Sequence, residues 1–287
     1  MPLVIRFVST DTFKLKVDSV GTVAAGTYYT NPNPAVTAIA PGTAKIIASA
    51  PGHLPDTNSW TVQPAALSLS WYSYVIGARQ TRQATDFYVQ IPQSRGTPVT
   101  VTLTQKQATK VALSATSVTI AGNNDYQSFT FAGLATGTDT IIATAPGYLP
   151  DTGFVTVTTP QLRASSLPST ATTTSPPQTV TVYTADSTNT VQYASDTVVV
   201  RAVSSNANVI IPGEAYFRIP KGSYYFNPTV VYKGVGTASI TYSDSAGTGY
   251  LPATTNTVTV TGPSLLFSNP SGVLGMRQQT GDRKSVV

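Results

Sequence analysis

Between residues 65 and 160, apolar and polar positions alternate in short runs. Val99-Thr100-Val101-Thr102-Leu103-Thr104 alternates strictly, placing Val99, Val101 and Leu103 on one face, the period of two that a half-buried strand requires. Further runs are Phe87-Tyr88-Val89-Gln90-Ile91, Val111-Ala112-Leu113, Val118-Thr119-Ile120, Ser128-Phe129-Thr130-Phe131, Thr140-Ile141-Ile142-Ala143 and Phe154-Val155-Thr156-Val157. Turn formers separate them: Gly96, Gly122-Asn123-Asn124-Asp125, Gly137 and Pro146-Gly147. Seven or eight short strands at this spacing, with no run of helical period longer than one turn, predict a two-sheet antiparallel sandwich.

The pattern repeats. Gly42-Thr43-Ala44-Lys45-Ile46-Ile47-Ala48-Ser49-Ala50-Pro51-Gly52-His53-Leu54-Pro55-Asp56-Thr57 returns 95 residues on as Gly137-Thr138-Asp139-Thr140-Ile141-Ile142-Ala143-Thr144-Ala145-Pro146-Gly147-Tyr148-Leu149-Pro150-Asp151-Thr152. A looser third copy runs from Gly236-Thr237-Ala238 to Gly249-Tyr250-Leu251-Pro252. Each copy precedes an alternating strand: Trp60-Thr61-Val62, Val155-Thr156-Val157 and Val258-Thr259-Val260. In the shared segment Pro146 presets φ and Gly147 supplies a positive φ for a tight turn. Leu149 is expected to anchor that loop on the core and Asp151 to bond local amides. Tyr148 and Tyr250 (His53 in the first copy) are expected to pack on the loop or on an adjoining domain.

These residues carry a resemblance. The Gly-Thr-x-x-Ile-x-Ala-x-Ala-Pro-Gly-Tyr ending followed by Val-Thr-Val-Thr resembles the bacterial immunoglobulin-like repeats of large surface and secreted proteins, including those of invasin- and intimin-type adhesins. The resemblance covers nearly the whole chain. It implies an all-β fold of tandem immunoglobulin-like antiparallel β-sandwiches in an extracellular or cell-surface protein, and modules that mostly act as spacers.

Aligning the copies divides the chain into residues 1–64, an incomplete repeat lacking its first strands; 65–160 and 161–262, complete domains; and 263–287, the start of a fourth repeat. The fourth is read from Val273-Leu274-Gly275-Met276-Arg277-Gln278, which matches Val75-Ile76-Gly77-Ala78-Arg79-Gln80. Met1 is therefore not expected to be the natural start, although a donor strand from a neighbouring chain would also fill the gap. Residues 282–287 do not continue the pattern. One frame of a common sequencing adapter encodes them, so a non-native tail on a fragment of an assembled, metagenomic-type sequence is expected; a natural basic tail is the alternative.

A second pattern crosses the units. Gly26-Thr27-Tyr28-Tyr29-Thr30-Asn31-Pro32 resembles Gly222-Ser223-Tyr224-Tyr225-Phe226-Asn227-Pro228, while the second and fourth units share a Gly-x-Arg-Gln segment that the third lacks. Odd and even units then read as distinct types in a super-repeat of about twice the basic length.

Composition narrows the function. The chain has 15 Tyr and 9 Phe and is only 10% charged, which excludes the disordered class. A net charge of +5 is scattered over 287 residues without the clustered stripe that nucleic-acid binding needs. No apolar run reaches membrane-helix length. With no cysteine and a single histidine, His53, a structural zinc site and a position-specific general base are both excluded, and no enzyme is expected. Calcium, held by Asp and carbonyl oxygens at domain junctions, is the one metal to consider, with Asp56 and Asp151 at matching positions as candidates. The third unit has Ala253 there and no Asp-x-Asp cluster exists, so turn capping is expected and no cofactor. Trp71, Tyr72, Tyr74, Tyr224 and Tyr225 are candidates for stacking on a sugar. Alternation puts Tyr72 and Tyr74 on one face and Trp71 on the other, and core or interdomain packing is the competing role.

The leading expectation is a structural spacer or stalk, adhesion-related, whose partners are the neighbouring repeats of its own chain. Only Thr158 to Gln161 separate two units, so units stack end to end, each adding about 35–45 Å. The alternatives are a carbohydrate- or ligand-binding module of a secreted enzyme or phage appendage, meeting a glycan or host-surface ligand, and a self-associating filament subunit assembled by strand exchange.

Overall fold

The computed structural model describes residues 1–83, 85–267 and 284–286. The fourth-unit segment Val273–Gln278 and residues 282, 283 and 287 of the tail lie outside them. No helix occurs among the described residues; every element is a strand. The chain is a tandem of immunoglobulin-like β-sandwiches.

In the second unit a five-stranded sheet runs in the order Ser117–Ile120, Val99–Gln105, Gly137–Thr144, Asp151–Thr158, Ser73–Gly77. All pairings are antiparallel except the last: Ser73–Gly77 lies parallel to Asp151–Thr158. The facing layer holds Ser68–Leu69, Phe87–Gln90 and Tyr126–Phe129, together with Val111–Leu113 and Phe131–Gly133. Val99, Val101 and Leu103 all point into the core while the threonines between them face out, as the alternation requires. An aromatic cluster fills the centre, with Phe87 and Phe131 stacked at 4.2 Å between centroids and Trp71 edge-on to Phe87 at 5.0 Å. Such pairs add about 0.5–1.5 kcal/mol beyond their buried area.

The third unit repeats the plan. Tyr216–Ile219, Val198–Ser204, Ile240–Asp244 and Ala253–Thr254 form one sheet, and Thr170–Thr172 lies parallel to Val258–Thr261. Its core is built around Tyr242, Ile210, Ile219 and Ile240. The first unit is different. Its sheet runs Val20–Val23, Leu3–Ser9, Gly42–Ser49, Asp56–Val62, and among the described residues no strand lies on the outer edge of Asp56–Val62. Its buried cluster is Leu15, Ala44 and Ile46. Trp60, in the place where Val155 is fully buried, is 42% exposed.

The repeat's glycines have a backbone reason. Gly42, Gly137 and Gly236 begin equivalent strands with φ of +139°, +137° and +143°, a region that a Cβ makes costly. Gly52 and Gly147 take φ of +75° and +81° after their prolines, as the turn reading anticipates.

Two expectations are corrected. Leu149 does not anchor the loop: it is 49% exposed, and its counterparts Leu54 and Leu251 are 96% and 51% exposed. Its backbone does the work instead, since Tyr148–Leu149 pairs in parallel with Ala65–Ala66 and Leu67 N donates to Leu149 O at 2.9 Å. Tyr72 and Tyr74 also do not share a face. The chain leaves the sheet of Ser68–Leu69 and enters that of Ser73–Gly77 between them, which resets the alternation. Trp71 is buried, Tyr72 points outward, and Tyr74 packs on the same core as Trp71.

Candidate functional site at the junction of the second and third units

The densest polar arrangement joins the second unit to the third. Strand Ser73–Gly77 ends in a turn where Arg79 adopts φ +59°, a left-handed conformation uncommon outside glycine. Arg79 N donates to Gly133 O at 2.7 Å inside its own unit. Arg79 O accepts from Ser195 N at 2.9 Å and from the Tyr250 hydroxyl at 3.2 Å, both in the third unit. The strained residue is thus bolted on both sides of the junction.

Gln80, fully buried, follows it. Its Oε1 accepts from Gly77 N at 2.9 Å, and its Nε2 donates to Ala185 O across the junction at 2.9 Å. A Cβ on Gly77 would collide with Gln80 Oε1 and meet Pro160 Cβ at 2.9 Å, so the glycine is what makes room for the glutamine. Gln80–Thr81 then pairs antiparallel with Tyr193–Ala194 of the third unit, and Thr81 pairs with Ala132 of the second. One sheet therefore runs through both units.

The receiving side is equally ordered. Asp186, 1% exposed, closes the loop that follows Val182–Ala185. Its Oδ1 accepts from Thr188 N at 2.8 Å and Thr190 N at 3.1 Å, and its Oδ2 from Gln192 Nε2 at 2.8 Å. Gln192 Nε2 also reaches the Tyr74 hydroxyl at 3.2 Å. Arg82 reaches back to Asp86 at 2.9 Å and donates to Val191 O at 3.3 Å, while Gln83 donates to the Tyr193 hydroxyl at 2.7 Å. Burial raises the Tyr250 and Tyr74 hydroxyls above the usual tyrosine range.

The sequence candidates are dispersed. Trp71 belongs to the second unit's core, Tyr72 stands on the surface edge-on to Phe154 at 5.4 Å, and Tyr74 faces the junction. Tyr224 and Tyr225 lie in the third unit, with Tyr224 edge-on to Tyr193 at 5.3 Å. Asp56 Oδ1 accepts from Thr57 N at 2.8 Å. Asp151 uses both oxygens, accepting from Thr152 N at 2.8 Å and Leu69 N at 2.7 Å. Among the described residues no group of three or more His, Cys, Asp or Glu could hold a metal ion. Tyr250, expected to pack on the loop or on an adjoining domain, sits in its own unit's core and meets the adjoining unit through its hydroxyl. Gln80, Gln192 and Asp186 were not singled out by sequence; the one signal was the Gly-x-Arg-Gln segment.

Gln63 and Pro64 connect the strands Asp56–Val62 and Ala65–Ala66, and among the described residues no hydrogen bond or ion pair joins residues 1–62 to residues 65–160. An open cleft of about 330 Å³ lies there instead, lined in part by Ile39, Pro41, Pro92, Arg95 and Tyr148.

No family model matches the chain, and no curated protein matches it. Among solved structures it is similar to domains 4 and 5 of the S-layer protein SbsC, with 21% identity and a TM-score of 0.26 over 53% of this chain and 70% of that one. It is also similar to the D0–D1 domain of intimin (11% identity, TM-score 0.25, 67% and 95%). A third is the Yersinia pseudotuberculosis adhesin InvE (16%, 0.30, 69% and 58%). The fold assignment rests on the strand pairing and the cores.

Proposed function

We propose that the chain is a spacer, or stalk, of an extracellular or cell-surface multidomain protein, adhesion-related, whose immediate partners are its own neighbouring repeats. The observation that carries this reading is the sheet continued from Phe131–Gly133 through Gln80–Thr81 into Tyr193–Ala194. Its hydrogen bonds transmit tension from one sandwich to the next without relying on a flexible linker. Small-angle scattering on the purified chain tests it: an elongated monomeric particle is expected, and a compact one rules the spacer out.

A further inference from the structure

We propose that the groove between the second and third units, beside Tyr193 and Tyr224, is a binding site for a neutral glycan, built jointly by the two units. The site goes beyond the spacer reading and does not depend on it.

The groove has a volume of about 330 Å³ and is lined by Arg82, Gln83 and Asp86 from the second unit and by Val191, Tyr193 and Tyr224 from the third. That volume lies at the lower end of the range that small-ligand sites occupy. It is too small for a folded partner and suits the end of an oligosaccharide. Neither unit holds the site alone: one supplies the polar side chains and the other supplies the rings.

The rings are fixed by their backbones. Tyr193 pairs with Thr81 across the junction. Tyr224 follows a turn at Gly222, whose φ is +76°. Gly222 N donates to Ala194 O and Ala194 N to Ser223 O, both at 2.8 Å, and Tyr224 O accepts from Thr184 N at 2.8 Å. The two rings stand 5.3 Å apart at 85°, and Tyr225 backs Tyr224 at 4.8 Å. Two half-buried rings at a right angle make a corner of apolar faces with polar tips. Because the corner exists before anything binds, little ordering cost falls on the binding step.

The polar half decides the chemistry of the occupant. Arg82 and Asp86 lie 2.9 Å apart and neutralise each other, so the lining carries no net charge. An anion would meet Asp86 and a cation would meet Arg82. Gln83 Nε2 donates to the Tyr193 hydroxyl at 2.7 Å, which leaves Gln83 Oε1 as an acceptor and the Tyr193 O–H as a donor. Asp86 Oδ1, Arg82 Nη2 and the Tyr224 hydroxyl make no hydrogen bond among the described residues. Donors and acceptors are therefore mixed, which suits hydroxyl groups, since each of them does both. A neutral sugar ring, with hydroxyls at its rim and C–H groups on its faces, uses both halves of the groove. An extended peptide does not, because Ala194 N and O are already bonded to Ser223 and Gly222 and no strand edge is open beside the rings.

Among the aromatic residues that the sequence marks for stacking, Tyr224 lines this groove and Tyr72 stands elsewhere, 76% exposed on the second unit. Calorimetric titration of the full chain with maltohexaose, cellohexaose and chitohexaose, and with a galacturonic acid hexamer as the acidic counterpart, tests the site. Saturable binding of at least one neutral hexamer is expected, with the acidic one weaker. Tyr224→Ala is expected to lower that affinity roughly tenfold through the lost ring contact. Gln83→Ala is expected to lower it about threefold through a lost hydrogen bond, and Tyr72→Ala to leave it unchanged. Gln83 is exposed and its side chain holds no backbone group, so Gln83→Ala decides the matter where circular dichroism shows that Tyr224→Ala folds poorly. Failure of every neutral hexamer to bind, tighter binding of the acidic one, or an affinity unmoved by both groove substitutions overturns the inference. None of these outcomes touches the spacer reading, which the scattering shape tests on its own.

Discussion

Gln80 donates its side-chain amide to the carbonyl of Ala185, 105 residues further along the chain, while the other end of the same amide caps its own turn. One buried side chain thereby satisfies the backbone of two domains. Removing it leaves a donor, Gly77 N, and an acceptor, Ala185 O, in a dry place, and unsatisfied buried groups cost about 1–3 kcal/mol each.

Gln80→Ala is therefore expected to destabilise the second and third units together by about 2–4 kcal/mol. Ser175→Ala, which removes the partner of the half-buried Thr172 N and one of the bonds of the Thr172 hydroxyl, is expected to cost about 1 kcal/mol. Urea denaturation followed by circular dichroism measures both, and equal costs would count against the difference between the two turns.

The third unit and its junction with the second are expected to weaken at alkaline pH. Burial raises the hydroxyls of Tyr242, Tyr250 and Tyr74 above the ordinary tyrosine value, so the folded chain holds these protons more tightly than the unfolded chain. Their contribution is complete below about pH 10, the unfolded value, and is lost as pH rises above it. A melting temperature flat to pH 9 and falling beyond pH 10 is expected, and Tyr250→Phe is expected to shallow the fall.

Two glycine substitutions rank by what the new Cβ meets. At Gly137, φ is +137° and the nearest atoms belong to the flexible Lys110 side chain, so Gly137→Ala is expected to cost about 1–3 kcal/mol of backbone strain. At Gly133 the Cβ would strike the carbonyl of Gly77 and meet Val157 Cγ1 at 3.0 Å. Overpacking typically costs about 1–3 kcal/mol, and backbone cannot move aside as the Lys110 side chain can, so Gly133→Ala is expected to lower the melting temperature further. The reverse order would contradict this packing.

The two tryptophans are expected to report separately. Trp71 is 9% exposed among Phe87, Phe129 and Phe131, and Trp60 is 42% exposed. Acrylamide is expected to quench Trp60 strongly and Trp71 weakly, read by comparing single Trp→Phe variants. Trp71→Ala is expected to cost about 3–5 kcal/mol through the cavity it opens. Uniform quenching would place Trp71 outside the core.

Calcium is expected to leave the melting temperature unchanged, since both oxygens of Asp151 already accept backbone N–H bonds. A rise saturating at millimolar calcium, abolished in Asp151→Asn, would reverse that expectation.

What the sequence made legible were features set by local chemistry. The strict alternation from Val99 to Leu103 specified its strand and its buried face, and Pro146-Gly147 specified its turn. Local reading failed where the chain changes layers. Between Leu69 and Ser73 the chain leaves one sheet for the other, and a period of two cannot be carried through that crossing, so Trp71 and Tyr74 reach the same core. Leu149 misled for a related reason: its backbone pairing with Ala65–Ala66 holds the loop, leaving the leucine side chain in solvent. The bond from Gln80 to Ala185 depends on how two whole sandwiches meet, and no local pattern names the partner. Its trace was nevertheless present, in Gly-x-Arg-Gln occurring in the second and fourth units and missing from the third.

The pairing of Gln80–Thr81 with Tyr193–Ala194 makes the second and third sandwiches a single lever. A pull applied at one end reaches the other through backbone hydrogen bonds that both halves share, so the pair turns as a unit before either half deforms.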